Sequence, residues 1–338
     1  MMKKCIFSGM RPTGKLHLGH MAGALNNWIR LQNDPNYDCF WGIMDWHAMT
    51  SNYADMTSMK DSCKEVLIDW LATGLDPEKS PLFLQSHVRE HMELGLALGM
   101  ITPLGWLERC PTYKEQILNI KNKDLGNYGF LGYPVLMAAD ILIYKSHAVP
   151  VGEDQTAHLE LTREIARRFN GFYKEIFPEP EIMLTKTPKV PGTDGRKMSK
   201  SYGNSLYISD TADVLWKKLS TMTTDPARVR KTDPGDPEKC PVWDLQKVFN
   251  PDEGQKAELT AACRGGTIGC LHCKKALQAH FVELMTPIWD RYVELEKNPG
   301  IVDEILSDGE QRARKVARAT MDEVLDVIGF IKPYHTDA

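Results

Sequence analysis

The chain has 338 residues, of which 42% are hydrophobic and 25% charged, and its formal net charge is −4. This composition is typical of a folded protein with a sizeable core, and it excludes both global disorder and a generally basic nucleic-acid coat. No apolar run reaches the length of about 18 residues that a membrane span needs, or forms a signal-peptide core, so we expect a cytoplasmic enzyme with neither membrane nor DNA partners.

Short apolar runs alternate with longer amphipathic stretches from the amino terminus to about residue 185. The runs predict buried strands at residues 3–8, 37–44, 81–85 and 148–151. The stretches between them predict helices at residues 18–33, 57–73 and 153–170. Such alternation predicts an α/β fold with a Rossmann-like, doubly wound parallel sheet. Residues 88–145 have no convincing strand, and we interpret them as a helical insertion.

The pattern changes near residue 185. Pro188, Pro191, Gly192 and Gly195 predict a mobile loop at residues 187–203. Helical patterns follow at residues 211–222, 243–249, 270–296 and 310–328. We therefore predict a catalytic domain at residues 1–208 and an all-helical domain at residues 209–338, with the last helix packing back on the catalytic domain.

The first phosphate-facing motif is His17-Leu18-Gly19-His20, at the start of the first predicted helix. A helix N-terminus offers free N–H groups and a partial positive charge to a phosphate. Gly19 lacks a Cβ and allows close approach, and the two imidazoles lie on one side of the first turn. Taken alone, this short motif is also compatible with an ordinary helix start.

The second motif is Lys197-Met198-Ser199-Lys200-Ser201, at the end of the predicted mobile loop. Two lysines three residues apart, with hydroxyl groups beside them, can surround a polyphosphate. A solvated lysine loop is the alternative for this motif alone. Because each motif follows a strand of the α/β half, the two together indicate a nucleotide site.

Four of the eight cysteines form a C-x22-C-x6-C-x2-C pattern in the helical half: Cys240, Cys263, Cys270 and Cys273. Four thiolates ending in a C-x2-C pair can hold zinc or a [4Fe–4S] cluster, and spacing alone does not separate the two. The other four cysteines are scattered and read as ordinary thiols.

The two phosphate-facing motifs resemble the HIGH and KMSKS motifs of class I aminoacyl-tRNA synthetases. Two further runs resemble the amino-acid pocket of bacterial tryptophanyl-tRNA synthetases: residues 133–142 (YPVLMAADIL) and residues 149–155 (VPVGEDQ). The cysteine pattern is similar to that of a subset of these enzymes that binds [4Fe–4S]. One departure is His20, which stands where many members of the family carry Asn.

The resemblance implies a tryptophan–tRNA ligase, in which ATP activates L-tryptophan and Mg²⁺ screens the triphosphate. It implies catalytic roles for His17, His20, Lys197 and Lys200. It also implies ATP contacts from a second group: Met10, Arg11, Gly19, Gly152, Asp154, Gln155, Met198 and Ser199. For Asp154 and Gln155, a helix-capping role is an equal alternative to ribose binding.

Asp140 is the family's candidate acceptor for the single indole N–H. Tyr133 and Met137 share its face of a helix that Pro134 opens. His47 follows the second strand, at the sheet edge where ligands bind. Val149 and Val151 are candidate pocket walls, or plain core valines.

The resemblance further implies a homodimer formed through the helical insertion, and tRNA(Trp) as the partner of the helical domain. Residues near the cysteines would then contact RNA or form a solvated helix face: Arg264, His272, Lys274 and Lys275. Three rival functions remain: a tyrosyl-tRNA synthetase, a noncatalytic RNA-binding or iron-sensing paralogue, and a small adenylyltransferase. The last accounts for neither the second motif nor the helical half.

Overall fold

The computed structural model describes residues 3–111, 113–114, 117, 125–185 and 188–331. Within them, parallel strands form one five-stranded sheet: β1 (Lys4–Met10), β2 (Tyr37–Ile43), β3 (Leu82–Leu84), β4 (Ala148–Val151) and β5 (Glu181–Leu184). The order across the sheet is β3-β2-β1-β4-β5. The winding reverses between β1 and β4, as in a Rossmann-like sheet, so the predicted fold class is confirmed.

Helices surround the sheet and form the C-terminal region. The α-helices of the described ranges are α1 (Leu18–His20), α2 (Asn26–Gln32), α3 (Asp45–Asn52), α4 (Met59–Thr73), α5 (Glu90–Ile101), α6 (Leu104–Glu108), α7 (Tyr128–Leu131), α8 (Tyr133–Leu142), α9 (Thr156–Phe172), α10 (Ala212–Thr221), α11 (Pro241–Phe249), α12 (Glu253–Arg264), α13 (Cys270–Lys297) and α14 (Pro299–Ile328). A π-helical segment, Met21–Leu25, joins α1 to α2. None of these helices is long and apolar enough to cross a membrane.

Strand β5 and helices α3 and α12 were absent from the predicted elements. β5 lies at the edge of the sheet and none of its four residues is fully buried. α3 buries only His47 and Ala48, and α12 only Leu259. Elements with so few buried side chains leave little hydrophobic periodicity in the sequence. In the insertion, the described residues contain α5 to α8; residues 112, 115–116 and 118–124 lie outside the described ranges.

The largest core cluster crosses residue 208, where the sequence predicts a domain boundary. Trp28 of α2 stacks on Trp41 of β2 at 4.7 Å and meets Trp70 of α4 edge to face. The same cluster includes Leu277 and Phe281 of α13, both fully buried. Close packing therefore ties the helical region to the face of the sheet that carries the first motif.

Helix α14 returns to the sheet. A Cβ on Gly309 would lie 2.0 Å from the Leu82 carbonyl oxygen of β3. Farther along the helix, Glu323 pairs with Lys145, and Arg318 approaches Glu90 at 3.5 Å. The helix thus covers the β3 side of the sheet.

Candidate active site

A cavity of about 320 Å³ opens at the carboxyl ends of β1 and β4, where the winding of the sheet reverses. Ligands of open α/β sheets bind at this kind of switch point. The cavity is lined by many of the predicted tryptophan and ATP residues: Met10, Arg11, His47, Tyr133, Met137, Asp140, Val149, Val151, Gly152 and Gln155. Three larger depressions, of about 760, 560 and 360 Å³, lie away from this edge and from both motifs' polar groups.

Backbone pairing brings the two motifs together. The Leu18 N–H donates to the Leu206 carbonyl (2.9 Å), and the Ile208 N–H donates to the Leu16 carbonyl (3.0 Å). The segment just after the second motif therefore runs beside the entrance to α1. Residues far apart in the chain thus form one edge of the candidate site.

The two histidines of the first motif form a close pair. The His17 N–H donates to His20 Nδ1 (3.2 Å), and the ring centroids are 3.8 Å apart. Burial, with Lys200 and Lys197 nearby, lowers the pKa of His17 to about 4; burial lowers the pKa of His20 to about 3, with His17 adding to the effect. Both rings are neutral at pH 7, so the pair offers hydrogen bonds rather than positive charge.

Gly19 allows the His17 ring to lie against the helix. A Cβ on Gly19 would be 2.9 Å from His17 Nδ1. This nitrogen is buried and has no hydrogen-bond partner among the described residues. The absence of a Cβ at Gly19 therefore leaves the space that the imidazole occupies, besides any role under a nucleotide.

The backbone of the second motif is held by a residue that the sequence did not single out. Asn204 Oδ1 accepts from the Ser199 N–H (2.8 Å), and its Nδ2 donates to the Lys197 carbonyl (3.2 Å). Met198 is buried, and its N–H donates to the Val190 carbonyl (3.2 Å). The Met198 side chain is thus an anchor of the loop. Thr187, at the predicted loop start, lies outside the described residues.

Lys200 is docked on the turn that precedes α1. Its Nζ donates to the Gly14 carbonyl (2.7 Å), the Thr13 carbonyl (3.0 Å) and Thr13 Oγ1 (3.1 Å). Burial lowers the pKa of Lys200 to about 8, while Asp69 and Glu65 act to raise it. The lysine is therefore held beside the first motif by neutral oxygen acceptors.

Asp140 lies at the centre of a buried hydrogen-bond network. Its Oδ2 faces His47 Nε2 at 2.6 Å, and its Oδ1 accepts from Gln85 Nε2 (2.7 Å) and faces His91 Nδ1 at 2.6 Å. His91 Nε2 in turn faces the Tyr144 hydroxyl at 2.8 Å. Burial acts to raise the pKa of Asp140, but His47 and His91 outweigh it, so the pKa lies below its usual value. The cavity thus has an ionised acceptor in its wall.

Helix α8 presents Tyr133, Met137 and Asp140 to the cavity, as the predicted spacing requires. The Tyr133 ring packs edge-on against His47, with centroids 4.4 Å apart. Both valine candidates line the cavity and are also buried in the core. Val149 and Val151 are therefore both walls of the cavity and residues of the core.

The side chains of Asp154 and Gln155 form a hydrogen bond with each other, and Gln155 also contacts His158. Gln155 Nε2 donates to Asp154 Oδ2 (2.7 Å), and Gln155 Oε1 faces His158 Nδ1 at 3.1 Å. Gln155 stands at the N-cap of α9 but makes no side-chain cap bond. The capping alternative thus has no support at Gln155.

One family of known proteins covers most of the chain: tRNA synthetases class I (W and Y) match residues 3–286. The chain belongs to this family. It is 51% identical to the tryptophan–tRNA ligase of Thermotoga maritima, over 94% of this chain and 97% of the relative. It is 42% identical to the tryptophan–tRNA ligase of Ralstonia nicotianae, over 98% and 99%. A crystal structure of tryptophanyl-tRNA synthetase from Campylobacter jejuni, complexed with ADP and tryptophan, is similar with a TM-score of 0.86 and 36% identity, over 96% of this chain and 100% of that one.

As a class I synthetase, the chain is an ATP-dependent aminoacyl-tRNA ligase, and the predicted enzyme class is confirmed. The site of this synthetase includes residues that no motif indicated. Gln85 and His91 hold Asp140, and Trp28 and Thr185 line the cavity. Gln85 is the last residue of the strand predicted at residues 81–85, at the sheet edge where ligands bind, and this position was the signal that could have indicated it. His91 carried no such signal.

The four cysteines of the synthetase lie together at one end of α13. Arg228 Nη1 is 3.7 Å from Cys263 Sγ and 3.8 Å from Cys270 Sγ. Burial raises the pKa of Cys273 to about 11; a hydrogen bond from Gln246 acts against this rise, and the other three thiols add to it. Among the described residues, no group of three or more His, Cys, Asp or Glu side chains could hold a metal ion as it stands.

Lys274, one of the candidate RNA contacts beside the cysteines, is not accessible to RNA. Lys274 is buried, and its Nζ donates to the Ser220 and Met222 carbonyls at 2.8 and 2.6 Å. It therefore caps the end of α10, and the expectation that it contacts RNA is wrong. Arg264, His272 and Lys275 are exposed.

Proposed function

We infer that the chain is a tryptophan–tRNA ligase. It joins L-tryptophan to ATP, giving tryptophanyl-adenylate and pyrophosphate, and then transfers the tryptophanyl group to tRNA(Trp). The observation that carries this function is an ionised carboxylate, Asp140, in the wall of the cavity at the sheet's switch point. Relatives at 51%, 44% and 42% identity over nearly the full chain are named tryptophan–tRNA ligases.

The carboxylate explains the choice of amino acid. An indole N–H needs an acceptor in an otherwise apolar slot, whereas the hydroxyl of tyrosine carries its donor at a different place on a smaller ring, so the position of Asp140 selects between them. Asp140 Oδ1 has two partners, whereas Oδ2 has only His47 among the described residues, so Oδ2 has capacity for one more donor. A site built around such a bond rejects an analogue without the matching donor by a factor of about 10⁴–10⁵.

The activation step needs alignment more than proton transfer. The tryptophan carboxylate is already a nucleophile; it forms a bond to the α-phosphorus, and the bond to pyrophosphate breaks with the electron pair leaving on the pyrophosphate. Neutral His17 and His20 supply hydrogen bonds to the phosphates, and Lys197 and Lys200 supply positive charge. Mg²⁺, bound with ATP, screens the triphosphate charge.

Lys200 has to leave its dock to act on the phosphates. Its three present acceptors are neutral oxygens of Thr13 and Gly14. A triphosphate offers charged acceptors, which bind an ammonium group more strongly. ATP would therefore draw Lys200 from the turn to the leaving pyrophosphate, with Ser199 assisting and Met198 keeping the loop anchored.

We propose a homodimer that forms through the insertion. Exposed apolar side chains surround the groove of about 560 Å³: Trp46, Met49, Tyr53, Met92, Leu96, Leu104 and Tyr128. Contiguous apolar surface of this kind is typical of a protein interface. A second copy of the chain is the expected occupant, and helices α3, α5, α6 and α7 would form the contact.

We propose that the four cysteines hold a [4Fe–4S] cluster, with zinc as the alternative. The donor set consists of four thiols, and the Arg228 and Gln246 N–H groups face three of the sulfurs. Such donors stabilise thiolates, which favours either group. Binding would need the sulfurs to draw closer around the ligand than they now stand. Exposed Arg264, His272 and Lys275 nearby support tRNA contact by the helical domain.

ATP–pyrophosphate exchange tests the function directly. The purified protein, without tRNA, is assayed with tryptophan and with tyrosine. Strong exchange with tryptophan alone is the expected result. Exchange with tyrosine would overturn the role of Asp140 in selection, and no exchange from folded, metal-replete protein would favour the noncatalytic paralogue.

Metal analysis after anaerobic purification tests the cysteine proposal. Iron and sulfide in about equal amounts are expected, and Cys273→Ser should lower both, whereas Cys5→Ser should not. Zinc without iron or sulfide would contradict the cluster and leave the zinc alternative.

A further inference from the structure

A second buried carboxylate lies outside the cavity. Asp69 of α4 is 2% exposed, and both of its oxygens are used. Its Oδ2 accepts from the Leu16 N–H at 2.6 Å, and its Oδ1 accepts from the Tyr292 hydroxyl of α13. Neither motif of the family contains Asp69 or Tyr292. One side chain thus joins the turn before α1 to a helix of the C-terminal region.

The turn that Asp69 holds carries both parts of the phosphate apparatus. Leu16 immediately precedes His17, and the Leu16 carbonyl accepts from the Ile208 N–H (3.0 Å) beyond the second motif. Two residues earlier, the Gly14 carbonyl accepts from Lys200. A shift of Leu16 would therefore move the histidine pair and the lysine dock together. Hydrogen bonds to a charged acceptor are stronger than neutral ones, which suits a holding role.

Two successive residues of helix α13 donate hydrogen bonds to α4. Arg291 Nη1 donates to the Ala72 carbonyl at 2.9 Å, near the end of α4, whereas Tyr292 reaches Asp69 one turn earlier. Of these two hydrogen bonds, only the one from Tyr292 is made to Asp69, which in turn holds Leu16 in the turn before α1. The same helix begins at Cys270, so it spans from the cysteine region to this contact.

We propose that Asp69 and Tyr292 are positioning residues for ATP: together they fix the turn at residues 13–17, and α13 thereby sets the phosphate side of the site. The inference rests on the proposed function, because it assigns the turn to ATP. Neither side chain lines the cavity, so neither contacts the tryptophan pocket. The effect of losing the link is therefore confined to ATP.

The test uses the full-length protein with Tyr292→Phe, which removes one hydroxyl and keeps the ring. ATP affinity is measured by calorimetry without tryptophan, and KM values for ATP and tryptophan are measured by pyrophosphate exchange. Tyr292→Phe should weaken ATP binding and raise the KM for ATP by about two- to tenfold, the usual effect of one lost hydrogen bond. The KM for tryptophan should not change. Asp69→Asn should act in the same direction, and the double variant should lose less than the sum of the two.

Arg291→Gln is the matched control, because it removes the neighbouring hydrogen bond from α13 to α4, at Ala72. It should leave ATP affinity unchanged. Three results would each overturn the inference. They are equal effects of Arg291→Gln and Tyr292→Phe on ATP affinity, an unchanged ATP affinity in Tyr292→Phe, and parallel rises of the KM values for ATP and tryptophan. Because calorimetry needs no amino acid, a failure of tryptophan exchange in the unmodified protein would refute the proposed function and still leave this inference to be judged by ATP affinity.

Discussion

Asp140 and Lys200 show how the same burial acts on two charges with different partners. Burial disfavours both charges. At Asp140 the neighbouring His47 and His91 outweigh burial, and the pKa falls. At Lys200 the partners are neutral oxygens, and burial dominates, lowering the pKa to about 8. The acceptor of the cavity therefore keeps its charge at neutral pH, whereas the cation of the loop is close to losing its charge.

The pH dependence of ATP use follows from Lys200. A lysine is charged below its pKa, so kcat/KM for ATP should fall as the pH rises through about 8. His17 and His20, with pKa values of about 4 and 3, should add no change between pH 6 and 8. In Lys200→Arg the alkaline fall should disappear, because a guanidinium stays charged. Exchange at limiting ATP from pH 6 to 10 measures this, and an identical fall in the variant would exclude Lys200 as its source.

Substitution of Asp140 should damage tryptophan use selectively. Asp140→Asn replaces one acceptor oxygen by an amide that faces donors, so the KM for tryptophan should rise by about tenfold or more. The KM for ATP should change little, because the phosphate-facing residues lie on other elements. Glu323→Gln on α14, which removes the charge that pairs with Lys145, serves as the control. Parallel changes in both KM values would point to a general loss of structure.

At the scale of elements, helix α14 makes one especially close backbone contact with the sheet. Gly309 lies against the Leu82 carbonyl of β3, and Ala313 and Ala317 continue the buried stripe. Small residues let a 30-residue helix lie near the strand. The small size of these side chains therefore sets how closely α14 approaches β3.

Two glycines of α14 should respond oppositely to alanine. Gly309→Ala would place its Cβ against Leu82 and should lower the free energy of unfolding by about 1–3 kcal/mol. Gly300→Ala meets nothing within 4 Å and should raise it by about 0.5–1 kcal/mol, since alanine loses less backbone entropy. Denaturant titration measures both. A stabilising Gly309→Ala would contradict the close packing of α14 on β3.

At the scale of the whole molecule, the site is assembled from distant parts of the chain. One core cluster joins the sheet face to α13, and the two motifs meet through residues 16–18 and 206–208. The cavity lies on one side of α3, which carries His47, and the same helix carries Trp46 and Met49 on the apolar groove. The proposed interface and the tryptophan pocket therefore share a helix.

A charge in the groove should break the proposed dimer. Leu96→Glu buries a carboxylate in an apolar interface and should shift the protein from dimer to monomer in analytical ultracentrifugation. Ile331→Glu, at an exposed position outside the groove, is the matched control and should remain a dimer. Monomeric unmodified protein, or a dimeric Leu96→Glu variant, would exclude this surface as the interface.

The sequence by itself determined the α/β order of elements, the two motifs, and the candidates on α8, because hydrophobic periodicity and residue spacing are local properties. Ten of the residues that line the cavity were expected from the sequence, most of them through the resemblance of its motifs to those of class I synthetases. Hydrophobic periodicity did not predict β5, because its apolar run, Ile182 to Leu184, is only three residues long and lies at the edge of the sheet. Only the tertiary structure decided which buried polar groups meet: Gln85 and His91 at Asp140, Lys200 at Gly14, and Tyr292 at Asp69. Such pairings join separate elements, and the energy of a buried charge depends on neighbours in space that no local pattern records.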